Sequence, residues 1–230
     1  MVFVFCSCHK KEDFVCVSLN DFDSLRTAGY DVSADNVFSN IRALMGSDTT
    51  NSIADIHARR HYREDMDMLW ITRDGVSSNA DTLLTFIQHV DSFGFSREKF
   101  YYSMLKEDLQ RVRVLDFDSL ESSRNTADKV FARLEYYLTK AFLRYTEGQR
   151  FGFMNPFQAF NRLDKRNDDT IHVSYRSLYG WNTSLPGSNY LATACSVIKG
   201  DGEKFTDFLA KSKPHNPLYN KYVAELNKTN

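Results

Sequence analysis

From Val37 onward, apolar residues recur at three- and four-residue spacing, the period of a helix with one buried face. Val37, Phe38, Ile41, Leu44 and Met45 predict a first helix, with Gly46 as its C-terminal stop. A second is expected from Ile53 to about Asp67, running into Trp70 and a turn at Arg73-Asp74-Gly75. Ala80, Leu83, Leu84, Ile87 and Val90 mark a third, which stops before Gly94. Ser96 is placed to cap a fourth carrying Phe100, Met104, Leu105, Leu109 and Val112. The strongest pattern runs from about Ala127 to Glu147. Val130, Leu134, Tyr137, Leu138, Ala141, Phe142 and Tyr145 form one stripe, and Gly148 is expected to close it.

The pattern then breaks. From Phe151 to Gly187 the chain reads as loops and short strands, with Asn155-Pro156, Ile171 to Tyr175 and Leu185-Pro186-Gly187 as its segments. Helices resume with Tyr190, Leu191, Ala194, Cys195 and Ile198, then with Phe205, Phe208 and Leu209. Asn216 followed by Pro217 is a cap with proline at the first helical position, opening a last helix through Leu218, Tyr222 and Leu226. The expectation is a mainly α protein: one bundle of about seven or eight helices, spanning residues 33–230, with an irregular loop and short-strand excursion.

Composition supports that picture. Of the 230 residues 42% are hydrophobic and 14% aromatic, enough to fill a core and to exclude general disorder. The 10 glycines and 4 prolines are few, and no proline precedes Pro156, which disfavours a many-turned β-sandwich or barrel. The formal net charge of -1, without a basic block, is not the electrostatic footprint of a nucleic-acid binder. No apolar run reaches the ~18 residues of a membrane span.

Residues 1–32 differ from the rest. Met1 to Cys8 is apolar and ends in small residues, then turns polar at His9 to Asp13. This resembles the end of a bacterial lipoprotein export signal, in which a cysteine after a small residue is acylated. Cys8 follows Ser7 and fits, whereas Cys6 follows the bulky Phe5. The apolar stretch is shorter than the ~7–15 residues of an export signal, as a start codon assigned too late would produce. An ordinary apolar tail is the competing reading. Residues 9–32 read as a tether or an irregular first segment. Cys16 and Cys195 complete the four cysteines, and no CxxC pair suggests zinc.

Leu138-Thr-Lys-Ala-Phe-Leu-Arg-Tyr145, followed by Arg150-Phe-Gly-Phe-Met-Asn-Pro156, resembles the scaffold domain of the large periplasmic L,D-transpeptidases. That family shows a helix ending in T-x-A-F-L-R-Y and then R-x-G-x-x-x-P. Upstream, Arg60-His-Tyr62, Trp70, Gly75 and Ala80-Asp-Thr-Leu-Leu84 are similar to its opening, and Gly94-Phe95 with Phe100-Tyr101 to the next motif. Downstream, Lys213-Pro-His-Asn-Pro-Leu-Tyr219 resembles its P-x-H-P-x-Y motif. The resemblance covers roughly Val37 to Leu226. It implies a helical scaffold that accompanies a peptidoglycan cross-linking domain, in cis or in trans. Those enzymes transfer an acyl group from a stem peptide through a cysteine to an acceptor amine. Their H-G and S-H-G-C-x-R constellation has no counterpart in this chain.

The remaining chemistry is sparse. Cys195 lies in Ala192-Thr-Ala-Cys-Ser196, on the apolar face of an expected helix, and reads as a core residue. His57 and His61 share one helical face, but Ala58 stands where zinc hydrolases need a Glu, so both read as surface histidines. Ser103 to Lys106 and Ser196 to Lys199 match S-x-x-K by chance, without the accompanying K-T-G. Asp65 with Asp67, and Asp116 with Asp118, are pairs that a glycosidase could use, yet acids at helix ends are ordinarily solvated. Arg144, Tyr145 and Arg150, with Phe153 and Asn155, form a candidate ligand or partner contact. Arginine forks onto carboxylates and aromatic rings stack on sugars. Helix capping and packing is the competing reading for Arg144 and Tyr145.

The sequence therefore implies a non-catalytic scaffold of a periplasmic, lipid-anchored envelope protein supporting peptidoglycan cross-linking or remodelling. Its expected partners are an L,D-transpeptidase catalytic domain and peptidoglycan, with no cofactor, no metal and no nucleic acid. A stand-alone lipoprotein module binding an envelope protein or glycan is the alternative.

Overall fold

A computed structural model describes residues 32–65, 67–72, 75–154, 180, 184–201 and 203–229. Among them lie eight α-helices: α1 (Ala34–Ser47), α2 (Ile53–Glu64), α3 (Asn79–Ile87), α4 (Tyr102–Val114), α5 (Ala127–Phe151), α6 (Tyr190–Lys199), α7 (Phe205–Lys211) and α8 (Pro217–Thr229). Two 3-10 turns, Val90–Phe93 and Arg97–Phe100, join α3 to α4. A two-residue antiparallel ladder, β1 (Ile71–Thr72) with β2 (Gly75–Val76), separates α2 from α3. The mainly α bundle expected from the periodicity is what forms. No helix among the described residues is long and apolar enough to cross a membrane.

The bundle is organised around α5. Of its 25 residues 18 are buried, far more than one stripe supplies, so neighbours cover it on several sides. Helices α1, α2 and α4 pack along it, and α3 and the second 3-10 turn also touch it. Trp70 meets Phe142 and Phe205 edge-on, and Phe142 stacks on Phe205 and Phe208, which ties α7 to the same core.

Capping follows the sequence closely at three helix starts. Ser33 Oγ accepts from the Asn36 N–H at α1, and Ser52 and Asp55 form a reciprocal capping box at α2. Asn216 Oδ1 accepts from the Leu218 N–H, which opens α8 as expected.

Five boundaries differ from the expectation; the simplest is that α3 ends at Ile87, leaving Val90 in the separate 3-10 turn. Gly46 does not stop α1, which continues to Ser47 and ends on Asp48, a residue drawn inward by ion pairs. Helix α2 stops at Glu64 rather than Asp67, because the backbone N–H groups of Leu69, Trp70 and Ile71 bond to Glu135 instead. Ser96 caps a 3-10 turn, not α4. Between them Tyr101 adopts φ +60°, which breaks the helix in two.

Gly148 does not close α5. The helix runs on to Phe151 and is ended by Gly152 at φ +104°. Gly148 serves a different need: a Cβ there would lie 2.2 Å from the Phe153 ring, so only a bare Cα lets that ring pack. Most of the expected excursion, residues 155–179 and 181–183, lies outside the described residues, as does the whole of 1–31 with Cys8 and Cys16.

Candidate functional site

Tyr136, Lys140, Arg144 and Glu147 recur every three or four residues and line the face of α5 that meets α2 and the segment before it. Lys140 is 1% exposed, and its Nζ donates to Asp48 Oδ2 at 2.5 Å and to Thr50 Oγ1 at 2.8 Å. Arg144 grips Asp55 with two prongs, Nε to Oδ1 at 2.8 Å and Nη2 to Oδ2 at 3.0 Å. Its Nη1 donates to the Lys99 carbonyl. Arg59 approaches Asp48 at 3.2 Å, and the Tyr136 hydroxyl donates to Asp48 at 2.6 Å. Both cations also sit against the Tyr101 ring, Lys140 Nζ at 5.3 Å and the Arg144 guanidinium at 4.7 Å from its centroid.

Burying such charges costs several kcal/mol per ion unless partners replace the water. Here they do. Burial raises the Asp48 carboxyl, but bonds from Lys140, Thr50 and Tyr136 outweigh it and hold the group well below the usual range. Burial likewise opposes ionisation of Asp55, and the Arg144 fork with Ser52 outweighs that too. Both acids are therefore charged at neutral pH and serve as anchors of the α1–α2 connection.

Glu135, one turn earlier, is fully buried. Its Oε1 accepts from the Leu69 N–H at 2.5 Å and the Tyr62 hydroxyl at 2.8 Å, and its Oε2 from Trp70 and Ile71 at 3.0 Å each. Thr139 completes the group by accepting from Trp70 Nε1 at 2.9 Å. Burial pushes the Glu135 carboxyl above its ordinary value, and the four donors work against that. Such a carboxylate is enclosed by donors that are already spent, which suits holding a chain segment rather than moving protons.

A cleft of about 780 Å³ opens where this face ends. The first turn of α2, Phe95, Phe100, the end of α5 with Phe153 and Met154, and Ser184 to Pro186 line it. Its rim carries exposed apolar side chains: Ile53 at 42%, Met154 at 61% and Leu185 at 65%. Arg144 and Glu147 reach its wall already paired, the latter with His57 Nδ1 at 2.7 Å. A second, polar hollow of about 520 Å³ lies at the start of α5 between Asn36, Asn40, Asp118 and Asp128.

The residues singled out from sequence are placed as follows. Arg144 is committed to Asp55, Tyr145 is fully buried, and Arg150 is exposed with its guanidinium over Phe151. The three do not form one surface, and Asn155 lies outside the described residues. His61 is not a surface histidine. It is 2% exposed, with Nε2 donating to the Asp67 carbonyl at 2.9 Å. Its Nδ1 lies 3.4 Å from Asp65 Oδ2 and 3.7 Å from Cys195 Sγ. Burial pushes the Cys195 thiol up to about 11, and the side chain packs against the core.

The S-x-x-K serines and lysines point to other partners: Ser103 to Glu98, Ser196 to the Asp201 carbonyl and Lys199 to Asp67. Asp116 pairs with Arg111, and Asp118 accepts from Ser123. Among the described residues no group of three or more His, Cys, Asp or Glu side chains is arranged to hold a metal ion.

The sequence reading missed Glu135, Lys140, Asp48 and Asp55. For Lys140 the signal lay in its four-residue spacing with Tyr136 and Arg144.

A family model described as a scaffold domain matches residues 53–226. No curated protein and no solved structure matches the chain.

Proposed function

Since the chain belongs to this scaffold-domain family, we propose that its scaffold role is that of the L,D-transpeptidase type, supporting peptidoglycan cross-linking or remodelling in the cell envelope. The observation that carries the reading is the span of the match, which takes in α2 through most of α8 and so all of the packing around α5 except that of α1. The chemistry agrees with it. Arg144 and Glu147 beside the cleft are paired across helices, and burial raises the pKa of the described thiol. The domain's work is then mechanical: a stiff helical body that orients a catalytic domain, in cis or in trans. The exposed Ile53, Met154 and Leu185 around the cleft support this, because a partner domain would cover them. A periplasmic location, with a lipid anchor at Cys8, belongs to the same proposal.

The test is to mix the purified chain with a separately purified L,D-transpeptidase catalytic domain and assay cross-linking of stem peptides. The chain alone is expected to give no turnover, and to bind the catalytic domain and raise its turnover when combined. Turnover by the chain alone, or no binding and no effect on rate, would overturn the proposal.

A further inference from the structure

Helix α8 is fastened differently from the rest of the bundle. None of its described side chains is buried, and its main neighbour is the Val90–Phe93 turn. Tyr219 lies against Phe93 at 6.1 Å, and Leu226 reaches Gly94 so closely that a Cβ there would stand 3.2 Å from Leu226 Cδ2. Beneath this thin apolar seam, α5 presents two polar groups one turn apart, Tyr145 and Gln149.

Both are enclosed, and both are left wanting. Tyr145 is fully buried, with its ring at 6.0 Å from Phe86 and 6.4 Å from Phe100, and its hydroxyl has no hydrogen-bond partner among the described residues. Gln149 is 4% exposed. Its Oε1 accepts a long bond of 3.3 Å from the Tyr219 hydroxyl, and its Nε2 has no partner among the described residues. Exchanging the amide O and N leaves the count unchanged, since one Gln149 atom still lacks a partner. Tyr145 and Gln149 are four residues apart on α5 and so share one face of it, and Gln149 holds the Tyr219 hydroxyl. An unpaired buried donor or acceptor is rare in native proteins, and a polar niche with three partners is where an internal water settles.

We propose that Tyr145, Gln149 and Tyr219 together bind one ordered water molecule that pins α8 to α5. It accepts from Gln149 Nε2, donates to the Tyr219 oxygen and shares a bond with the Tyr145 hydroxyl. Three bonds are the usual complement of a buried water. The last helix is thus joined to the central one through a hydrated seat.

Thermal melts of the full chain with Tyr145→Phe, Tyr219→Phe and the double substitution separate the alternatives. With the water in place, Tyr145→Phe removes a made bond and lowers Tm by about 2–4 °C. In the Tyr219→Phe background, where the bridge has already lost one end, the same change lowers Tm much less. A rise in Tm for Tyr145→Phe would mean a dry site holding an unsatisfied hydroxyl, and would overturn the proposal. So would equal losses in both backgrounds. A crystal structure with water density within about 3 Å of all three groups supports the bridge, and one with an empty niche sinks it.

Discussion

The Tyr62 hydroxyl donates to Glu135 Oε1 at 2.8 Å, joining α2 to α5 where both side chains are all but fully enclosed. The same carboxylate holds three consecutive N–H groups, so one side chain fixes the exit of α2 and the course of Leu69 to Ile71. Removing it strands several buried donors at once. Each stranded donor costs about 1–3 kcal/mol, so Glu135→Leu is expected to lose at least about 3 kcal/mol. Tyr62→Phe removes one hydroxyl, in reach of Glu135 Oε1, the Glu135 carbonyl and Thr139 Oγ1, but strands no backbone N–H, and is expected to lose about 1–2 kcal/mol. Urea unfolding of the two variants checks the order. A Glu135→Leu protein as stable as Tyr62→Phe would show that the carboxylate does not organise the segment.

Acid acts through the neighbouring pair. Asp55 titrates below its ordinary value of 3.8 in the folded protein, since the Arg144 fork outweighs burial, and regains that value on unfolding. A depressed folded pKa stabilises fully above the unfolded value and is lost as pH falls through the folded one. Asp55→Asn leaves Arg144 and Lys140 without this partner and is expected to lose about 3–5 kcal/mol at pH 7. That gap between wild type and variant shrinks below about pH 4, as the wild-type carboxyl takes up its proton. Urea midpoints at pH 7, 4 and 2.5 measure it. A gap that stays constant down to pH 2.5 would show that the Arg144–Asp55 charge pairing contributes nothing.

Tyr101 pays for its position in backbone conformation. Its φ of +60° is uncommon for a bulky residue and costs about 1–2 kcal/mol, while its ring lies over Arg144 and Lys140. Removing the ring without easing the backbone is the worst combination. Tyr101→Ala is therefore expected to be less stable than Tyr101→Gly by about 1 kcal/mol, the reverse of the order inside a helix. Paired denaturation curves decide it. Alanine equal to or better than glycine would show that the left-handed turn is not what the position demands.

The bundle was largely legible, and the reason is that α5 announces itself. Val130, Leu134, Leu138, Ala141, Phe142 and Tyr145 keep the helical period, and all are buried. The second face was harder. Tyr136, Lys140 and Arg144 show the right spacing, but their acids at Asp48 and Asp55 lie 88 to 92 residues away in sequence. Nothing local pairs such distant charges, and a charged residue on a helix is ordinarily solvated. His61 was misread for the same reason: it is covered by the turn carrying Asp67 and by Cys195 on α6, contacts that α2 alone cannot reveal. The break at Tyr101 has no signal at all, since tyrosine does not favour the left-handed region.

Gly148 offers the sharpest check on how α5 ends. A glycine within a helix ordinarily costs about 1 kcal/mol relative to alanine, so Gly148→Ala would be stabilising if the helix alone mattered. Here the Phe153 ring occupies the space, and a Cβ would meet it at 2.2 Å. That ring also contacts Phe95 at 4.2 Å and Phe100 at 6.0 Å, so it cannot move without opening the wall of the cleft. Overpacking of this kind costs about 1–3 kcal/mol, which exceeds the helix gain. Gly148→Ala is therefore expected to destabilise the wild type. In a Phe153→Ala background the clash is gone, and the same change should be neutral or stabilising. Four denaturation curves complete the cycle, and additive effects would mean that glycine is present at 148 for a reason unconnected with Phe153.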